Sequence, residues 1–177
     1  FFFSATAGQI ADKYERSQLI RFIKILEIVI MLIGSAGFLL GNLWLLLFAL
    51  FLMGTHSTCF GPIKYAILPE ILKPQELMSG NALFQSGTSI AILVGMILGG
   101  AVIASSEGNL LWISITVVTI ACLGYLSSRF ILPQKVAEPD LKIDWNFFRT
   151  SFQTLKYVKG IPVIFMILLG NSWYWFY

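Results

Sequence analysis

Charged residues that stand inside apolar stretches are the first candidates for chemistry in this sequence. Glu27 follows Lys24 by three residues, and His56 stands among hydroxyl-bearing side chains in a second apolar run. An ionised group at the centre of a bilayer costs about 2.5–3.5 kcal/mol on insertion scales, so such residues usually pair or face a cavity. We expect Glu27 to pair with Lys24, and a role in proton transfer is the alternative. His56 is a candidate ligand contact, with a helix–helix hydrogen bond as the alternative.

Motifs of familiar enzymes do not occur in the sequence. His56 is followed five residues later by Gly61, where glycerolipid acyltransferases carry an aspartate. A G-x-S-x-G nucleophile elbow, a Walker A loop and a G-x-G-x-x-G fingerprint are also absent. Cys59 and Cys122 lie in apolar runs without C-x-x-C spacing, which favours packing over a disulfide or a metal site. We therefore predict no catalytic residue, metal site or cofactor, so that any catalytic domain would lie outside this chain.

The composition is that of a membrane protein. Of the 177 residues 57% are hydrophobic and only 12% are charged, and the mean hydropathy is +0.80. Soluble domains have about 45–50% apolar and about 25% charged residues, so charge this sparse cannot cover a soluble surface. No concentrated basic face that would suit nucleic acid occurs, and we predict no nucleic-acid partner.

Long apolar runs, each sufficient for a membrane-spanning helix of about 20 residues, alternate with polar segments. A polar loop at 8–18, a turn at 41–42, a polar segment at 64–80, a turn at 105–109 and a linker from 133 separate them. The chain has no initiator Met and stops in an aromatic run, so we expect a fragment. The predicted spans are the end of a helix at 1–7, complete helices at 19–40, 43–61, 81–104 and 110–132, and a last one from 161.

The basic residues predict an orientation. The turns at 41–42 and 105–109 contain no Lys or Arg, whereas all twelve lie in or beside the three other segments. Because Lys and Arg of short loops stay on the cytoplasmic side, we expect those three segments to be cytoplasmic. The twelve are Lys13, Arg16, Arg21, Lys24, Lys64, Lys73, Arg129, Lys135, Lys142, Arg149, Lys156 and Lys159.

The segment 144–160 has the pattern of an amphipathic helix. Asp144 is the predicted N-cap and Gly160 the predicted C-terminal stop. A basic helix with aromatic anchors lies in the membrane interface, and an ordinary soluble linker helix is the alternative. The apolar positions recur at spacings of three and four, with polar and basic residues opposite them: Trp145, Phe148, Phe152, Leu155 and Val158 against Arg149, Gln153, Lys156 and Lys159.

The polar loop resembles the signature loop between the second and third helices of the major facilitator superfamily. The resemblance implies that its aspartate takes part in contacts that hold the inward gate closed. Glu15 stands where a second glycine is usual, and Ser17 where a further basic residue often stands. The matching residues are Gly8, Ala11, Asp12, Lys13 and Arg16.

A second stretch makes the resemblance more specific. Residues 60–70, Phe-Gly-Pro-Ile-Lys-Tyr-Ala-Ile-Leu-Pro-Glu, with Asn81-Ala82-Leu83 after them, are similar to the bacterial lysophospholipid transporter family. Its members are often fused to a phospholipid acyltransferase and sometimes to an acyl-carrier-protein ligase. The resemblance implies twelve helices, of which this chain would cover the second to the early seventh. It also implies that lysophospholipid, with lysophosphatidylethanolamine as the expected substrate, moves by alternating access around a midplane site.

These observations together predict an all-α membrane fold of the major-facilitator type, multi-pass in the bacterial inner membrane. We expect a bundle at 1–132, a cytoplasmic linker with an interfacial helix at 133–160, and a seventh helix from 161. The expected partners are lysophospholipid, membrane lipid and a fused or associated acyltransferase. A major-facilitator transporter of a drug, sugar or organic acid is the first alternative. The second is a membrane anchor that holds a fused acyltransferase without transporting anything.

Three groups of residues receive predicted roles. We expect the conformational switch to use Gly8, Asp12, Arg16 and Lys64. The candidate substrate-lining residues are His56, Tyr65, Asn81, Gln85, Asn171 and Trp175. The predicted helix-packing residues, which include a G-x-x-x-G pair, are Gly87, Gly95 and Gly99, because small residues let helix backbones approach in lipid.

Overall fold

The computed structural model describes residues 4–106, 109–133, 136, 140, 141, 143, 144 and 146–176. Throughout these residues the regular structure is helical. The helices are α1 Ser4–Lys13, α2 Arg16–Leu39, α3 Leu43–Ala66, α4 Leu68–Ile71, α5 Leu77–Ser105, α6 Leu110–Ser128, α7 Phe147–Lys159 and α8 Pro162–Phe176.

Four helical runs are long and apolar enough to cross a membrane. They are α2, α3 with α4, α5 and α6. The pair of α7 and α8 passes the same test together but is bent by 116°. Each run overlaps one of the four complete spans that were predicted, and together they confirm the all-α membrane fold, although several boundaries differ.

Asparagine and glutamate side chains fix where several helices begin. Glu15 accepts hydrogen bonds from the backbone N–H groups of Ser17 and Gln18 at the start of α2. Asn42 and Asn109 cap α3 and α6 in the same way. Such caps satisfy backbone donors that have no partner inside the helix.

The cap of α7 differs from the prediction. Asn146, and not Asp144, accepts from the backbone N–H of Arg149 at 3.1 Å. The Asp144 carboxylate accepts instead from the backbone N–H of Asn146 at 2.9 Å, and Asp144 lies two residues before this cap. Asp144 therefore orders the approach to the helix, and the helix begins later than its apolar pattern suggested.

The predicted loop at 8–18 is largely helical, which corrects the expected boundary. Helix α1 continues to Lys13, and only two residues separate it from α2. The Nε of Arg16 donates to the backbone oxygen of Ala11 at 3.1 Å, and so satisfies a carbonyl near the end of α1. The segment 64–80 is shortened in the same way, because α3 runs to Ala66 and α5 begins at Leu77.

Helix α2 lies between α3 and α6 and forms the centre of the packed region. The turn to α3 has Gly41 at a φ of 60°, a conformation that side chains rarely adopt. One turn earlier, a Cβ on Gly37 would lie 2.8 Å from Leu46 Cδ2, so glycine allows α2 and α3 to approach. Where α1 joins this pair, the buried core consists of Ala11, Ile20, Ile23, Ile63 and Ile67.

Helix α5 is largely unpacked in this structure. None of its residues is buried; its backbone lies near α4 and α6, and side chains at the end of α3 also reach it. A Cβ on Gly87, Gly95 or Gly99 would find no atom within 4 Å among the described residues. The helix-packing role of these glycines therefore stays a prediction, and it requires a helix that is not among the described residues.

Candidate functional site

The side chain of Arg16 joins the first four helices at one end of the bundle. Besides its bond to Ala11, its Nη1 donates to the backbone oxygen of Ala66 at 3.0 Å, at the end of α3. Asp12 of α1 contacts Nη2 at 3.1 Å, and Glu70 of α4 contacts Nη1. The side chain of Arg16 is only 9% exposed, and its charge is paired with these two carboxylates. We call Arg16, Asp12 and Glu70 the Arg16 network.

The two carboxylates of this network differ in their environment. The side chain of Asp12 is 49% exposed, whereas that of Glu70 is 22% exposed. Water screens an exposed pair strongly, so the Arg16–Glu70 contact is the stronger of the two. The structure thus brings the predicted switch residues Asp12 and Arg16 together, and it adds Glu70 to them.

Lys64, the other charged residue predicted for the switch, lies against aromatic rings. Its Nζ is 5.0 Å from the centre of the Tyr65 ring and 5.6 Å from that of Phe84. A cation over aromatic faces is attracted by their negative π-clouds. Within the described part of the chain Lys64 has no carboxylate partner, so its ammonium group is free to meet an anionic ligand.

Two predicted substrate-lining residues meet beside Lys64. The Tyr65 hydroxyl donates to Gln85 Oε1 at 2.9 Å, which ties the end of α3 to α5. The Phe84 ring stands edge-on to Tyr65 with centroids 5.8 Å apart. Asn81, one turn before Gln85, donates to the backbone oxygen of Leu77. We call Lys64, Tyr65, Phe84 and Gln85 the Lys64 cluster.

An open apolar groove adjoins this cluster. It lies between α4 and α5 and has a volume of about 590 Å³. Phe84 belongs to both the groove and the Lys64 cluster, and the predicted packing residue Gly87 lies in the groove wall. Thr88 is the only polar side chain among the lining residues, which are Leu68, Ile71, Leu72, Gly80, Leu83, Phe84, Gly87, Thr88 and Ala91.

A second polar group lies deeper, about half-way along α2 and α3. Lys24 Nζ contacts Glu27 Oε2 at 2.7 Å, as the spacing predicted. The His56 Nε2 lies 3.1 Å from the backbone oxygen of Ile23 and 3.8 Å from Glu27 Oε2. Phe60 places its ring 5.1 Å from the Lys24 ammonium group. His56 therefore makes the helix–helix contact that was the alternative to a ligand role, while it also lines a cavity of about 240 Å³ between α2 and α3.

Gly8 and Asn171 stand apart from these groups. A Cβ on Gly8 would find no atom within 4 Å, so no close helix approach depends on it among the described residues. Asn171 is exposed on α8. The side chain of Trp175 lies outside the described residues.

Sequence reasoning missed Glu70 as the second partner of Arg16. It stands in α4, a helix of four residues with no periodicity that could reveal its orientation. The local signal was its position next to Pro69, which starts a helix and places Glu70 in the first turn. Its pairing with a residue 54 positions earlier required the tertiary structure.

Comparison with known proteins agrees with this architecture. The chain is 29% identical over 174 residues to the lysophospholipid transporter LplT of Photorhabdus laumondii subsp. laumondii, which covers 95% of this chain and 40% of that protein. It is 25% identical over 175 residues to the protein of the same name from Cronobacter sakazakii, with coverages of 95% and 40%. The corresponding Pectobacterium carotovorum protein is 34% identical over 93 residues, which are 52% of this chain and 21% of that protein.

The chain spans about 40% of the length of the relatives that it matches along almost its whole extent. No solved structure matches it. The family profile described as Major Facilitator Superfamily matches residues 1–177. With several apolar helices of membrane-spanning length and a family match from end to end, this multi-pass membrane protein belongs to the major facilitator superfamily.

Proposed function

We propose that the protein translocates lysophospholipid across the bacterial inner membrane by alternating access. Lysophosphatidylethanolamine is the expected substrate, and cytoplasmic reacylation by a fused or associated acyltransferase is its expected fate. The proposal concerns the whole protein, of which this chain supplies part of the transmembrane domain. Relatives that carry the name lysophospholipid transporter support it, since they align with 95% of the chain.

The observation that carries the proposal is the position of the Lys64 cluster beside the apolar groove. A lysophospholipid has a phosphate headgroup and one acyl chain, and it therefore needs one polar and one apolar subsite. Lys64 supplies a cation without a carboxylate partner among the described residues, and Tyr65 and Gln85 supply hydrogen-bonding groups. The groove of about 590 Å³ supplies the apolar surface, within the range of about 300–1,000 Å³ found for small-molecule sites.

We assign the conformational switch to the Arg16 network and the headgroup contact to Lys64. The network joins α1, α2, α3 and α4 at one end of the bundle, so a rearrangement of these helices must break or shift its contacts. Lys64 instead reaches α5 through the ring of Phe84. This division separates residues that set the balance between two states from residues that touch the substrate.

Orientation follows from the basic residues. The Arg16 network, the segment with Lys73 and helix α7 would lie on the cytoplasmic side, and the turns at 41–42 and 105–109 on the periplasmic side. An acyltransferase that receives the substrate would then meet the basic face of the bundle.

Uptake of a fluorescent lysophosphatidylethanolamine into spheroplasts that contain the full-length protein tests the proposal. Wild type should take up the probe, and Lys64→Gln should lower both uptake and probe affinity by about tenfold, because a hydrogen-bonded charge pair contributes roughly 1.5 kcal/mol or more. Lys73→Gln removes the same charge from an exposed position and serves as the matched control. Absence of uptake by well-expressed wild type would favour the anchor role, and uptake of another solute alone would favour a different transporter.

A further inference from the structure

We infer that the hydroxyl group of Thr88 selects a lysophospholipid over a phospholipid with two acyl chains, by accepting a hydrogen bond from the free sn-2 hydroxyl of the substrate. The inference rests on the proposed function, and it gives a role to a residue that the sequence analysis did not single out. Thr88 lies in the wall of the apolar groove between α4 and α5, beside the Lys64 cluster.

The headgroup contact at Lys64 cannot make this selection. A lysophospholipid and the diacyl phospholipid from which it derives carry the same phosphate headgroup and the same first acyl chain. They differ at the middle carbon of glycerol, where the first has a hydroxyl group and the second an ester. Because specificity is a difference between two affinities, it must come from the part of the site that meets this carbon and its substituent.

The position of Thr88 on α5 suits contact with the glycerol. Thr88 follows Phe84 by four residues, so the two lie on one face of the helix and about 6 Å apart along its axis. Both are half-buried, whereas Gly87 and Ser89 are exposed, so this face of α5 is the more enclosed one. The ring of Phe84 lies 5.6 Å from the ammonium group of Lys64. A phosphate bound at Lys64 therefore places the attached glycerol near Thr88.

The hydrogen bond that Thr88 makes within α5 prepares its oxygen to accept. Its Oγ1 donates to the backbone oxygen of Phe84 at 2.9 Å. The hydroxyl proton is thus engaged, while the oxygen keeps lone pairs that accept from a donor. The sn-2 hydroxyl of a lysophospholipid is such a donor, and the ester of a diacyl phospholipid has no proton to donate.

The apolar surroundings give this acceptor its weight. Thr116 on α6 makes the same kind of bond, to the backbone oxygen of Trp112 at 2.8 Å, outside the groove. The bond alone is therefore ordinary for a threonine in a membrane helix. Thr88 differs because the other side chains that line the groove are apolar, so a ligand hydroxyl there has no other side-chain acceptor among the lining residues. A hydroxyl that leaves water without a new partner loses free energy, and Thr88 prevents this loss for the lysolipid.

A change in the substrate tests the inference without any change in the protein. Proteoliposomes with the full-length protein receive lysophosphatidylethanolamine or the analogue in which hydrogen replaces the sn-2 hydroxyl, both with the same acyl chain. We expect KM for the analogue to be about fivefold higher at a similar maximal rate, as for the loss of one hydrogen bond. Equal KM values for two transported lipids would overturn the inference and leave the proposed function intact. Absence of transport of both lipids would overturn the proposed function, and the inference with it.

Variants of Thr88 then assign the effect to one hydroxyl group. Thr88→Val keeps the shape of the side chain and should raise KM for lysophosphatidylethanolamine about fivefold, with KM for the analogue unchanged. Thr88→Ser keeps the hydroxyl group and should retain the preference of the wild type. Thr116→Val removes a similar hydroxyl group outside the groove and should behave as the wild type does. A preference that survives Thr88→Val, or an equal loss for both lipids, would overturn the inference, because a packing role does not depend on the sn-2 hydroxyl.

Discussion

The guanidinium of Arg16 donates to the backbone oxygen of Ala66 across 3.0 Å, although the two residues are 50 positions apart in the chain. This bond ties the start of α2 to the end of α3. Both helix ends then depend on one side chain, which Asp12 and Glu70 hold in place. The two carboxylates can be replaced separately by mutation.

Glu70→Gln should slow lysolipid transport more than Asp12→Asn does. The side chain of Glu70 is 22% exposed and that of Asp12 49%, and a pair as exposed as Asp12 with Arg16 contributes only about 0.5 kcal/mol. We expect Asp12→Asn to shift the balance of states by about twofold and Glu70→Gln by more, with lysolipid affinity in detergent changed less than about fivefold in both. Transport in proteoliposomes and binding in detergent measure the two quantities. A much larger loss of binding would mean that these residues touch the substrate.

Removing Glu27 alone should harm the protein more than removing Glu27 and Lys24 together. Glu27→Leu leaves the partly buried Lys24 ammonium group without its carboxylate partner inside a membrane-spanning helix, where an unpaired charge costs up to about 2.5–3.5 kcal/mol. The double variant Lys24→Met/Glu27→Leu removes both charges. Thermal unfolding of the full-length protein in detergent should therefore occur at a lower temperature for the single variant. Equal or lower stability of the double variant would show that the pair is not coupled.

Gly37→Ala should destabilise the protein, whereas Gly34→Ala, three residues earlier on α2, should be nearly neutral. A Cβ at position 37 would lie 2.8 Å from Leu46 Cδ2 and 3.2 Å from the Leu46 backbone nitrogen. A Cβ at position 34 would lie 3.7 Å from Ala49 Cβ, an ordinary contact. We expect a cost of about 1–3 kcal/mol for the first variant, as for other overpacked sites. Similar unfolding temperatures for both would mean that α2 and α3 separate readily at the turn.

Cysteine labelling checks the orientation. In a background without Cys59 and Cys122, Leu40→Cys in the turn between α2 and α3 should react with an impermeant maleimide from outside intact cells. Lys73→Cys, in the connection between α4 and α5, should react only after the membrane is opened. Both side chains are exposed, so access to the protein surface does not limit either reaction. The reverse pattern would invert the predicted topology.

The membrane-spanning helices could be predicted because each is encoded by a continuous apolar run of about 20 residues or more, which is visible in the sequence. The turn at 41–42 and the Lys24–Glu27 pair could also be predicted, because each depends on residues at most three positions apart in the sequence. The end of α1 could not be predicted, because its polar residues are typical of a loop. The helix end is completed by the side chain of Arg16, which donates to the backbone oxygen of Ala11.

The candidate site depended much more on tertiary structure. The sequence predicted Tyr65 and Gln85 each as a substrate-lining residue, but it did not predict the hydrogen bond between them. That bond joins α3 to α5 across residues 67–76, and the apolar pattern does not reveal how these residues orient one helix against the other. Lys64 was predicted for the conformational switch from its place at a helix end, and that role stays a prediction. The structure places its ammonium group beside the rings of Tyr65 and Phe84.

The short connection between α2 and α3 also bears on how the chain enters the membrane during its synthesis. No Asp, Glu, Lys or Arg occurs from residue 28 to residue 63, and only Leu40, Gly41 and Asn42 lie between the two helices. Gly37 lets the two helices close against each other beside this turn. We expect α2 and α3 to leave the translocon as one helical hairpin. The segment 28–63, which holds the turn that must cross the bilayer, has no formally charged side chain.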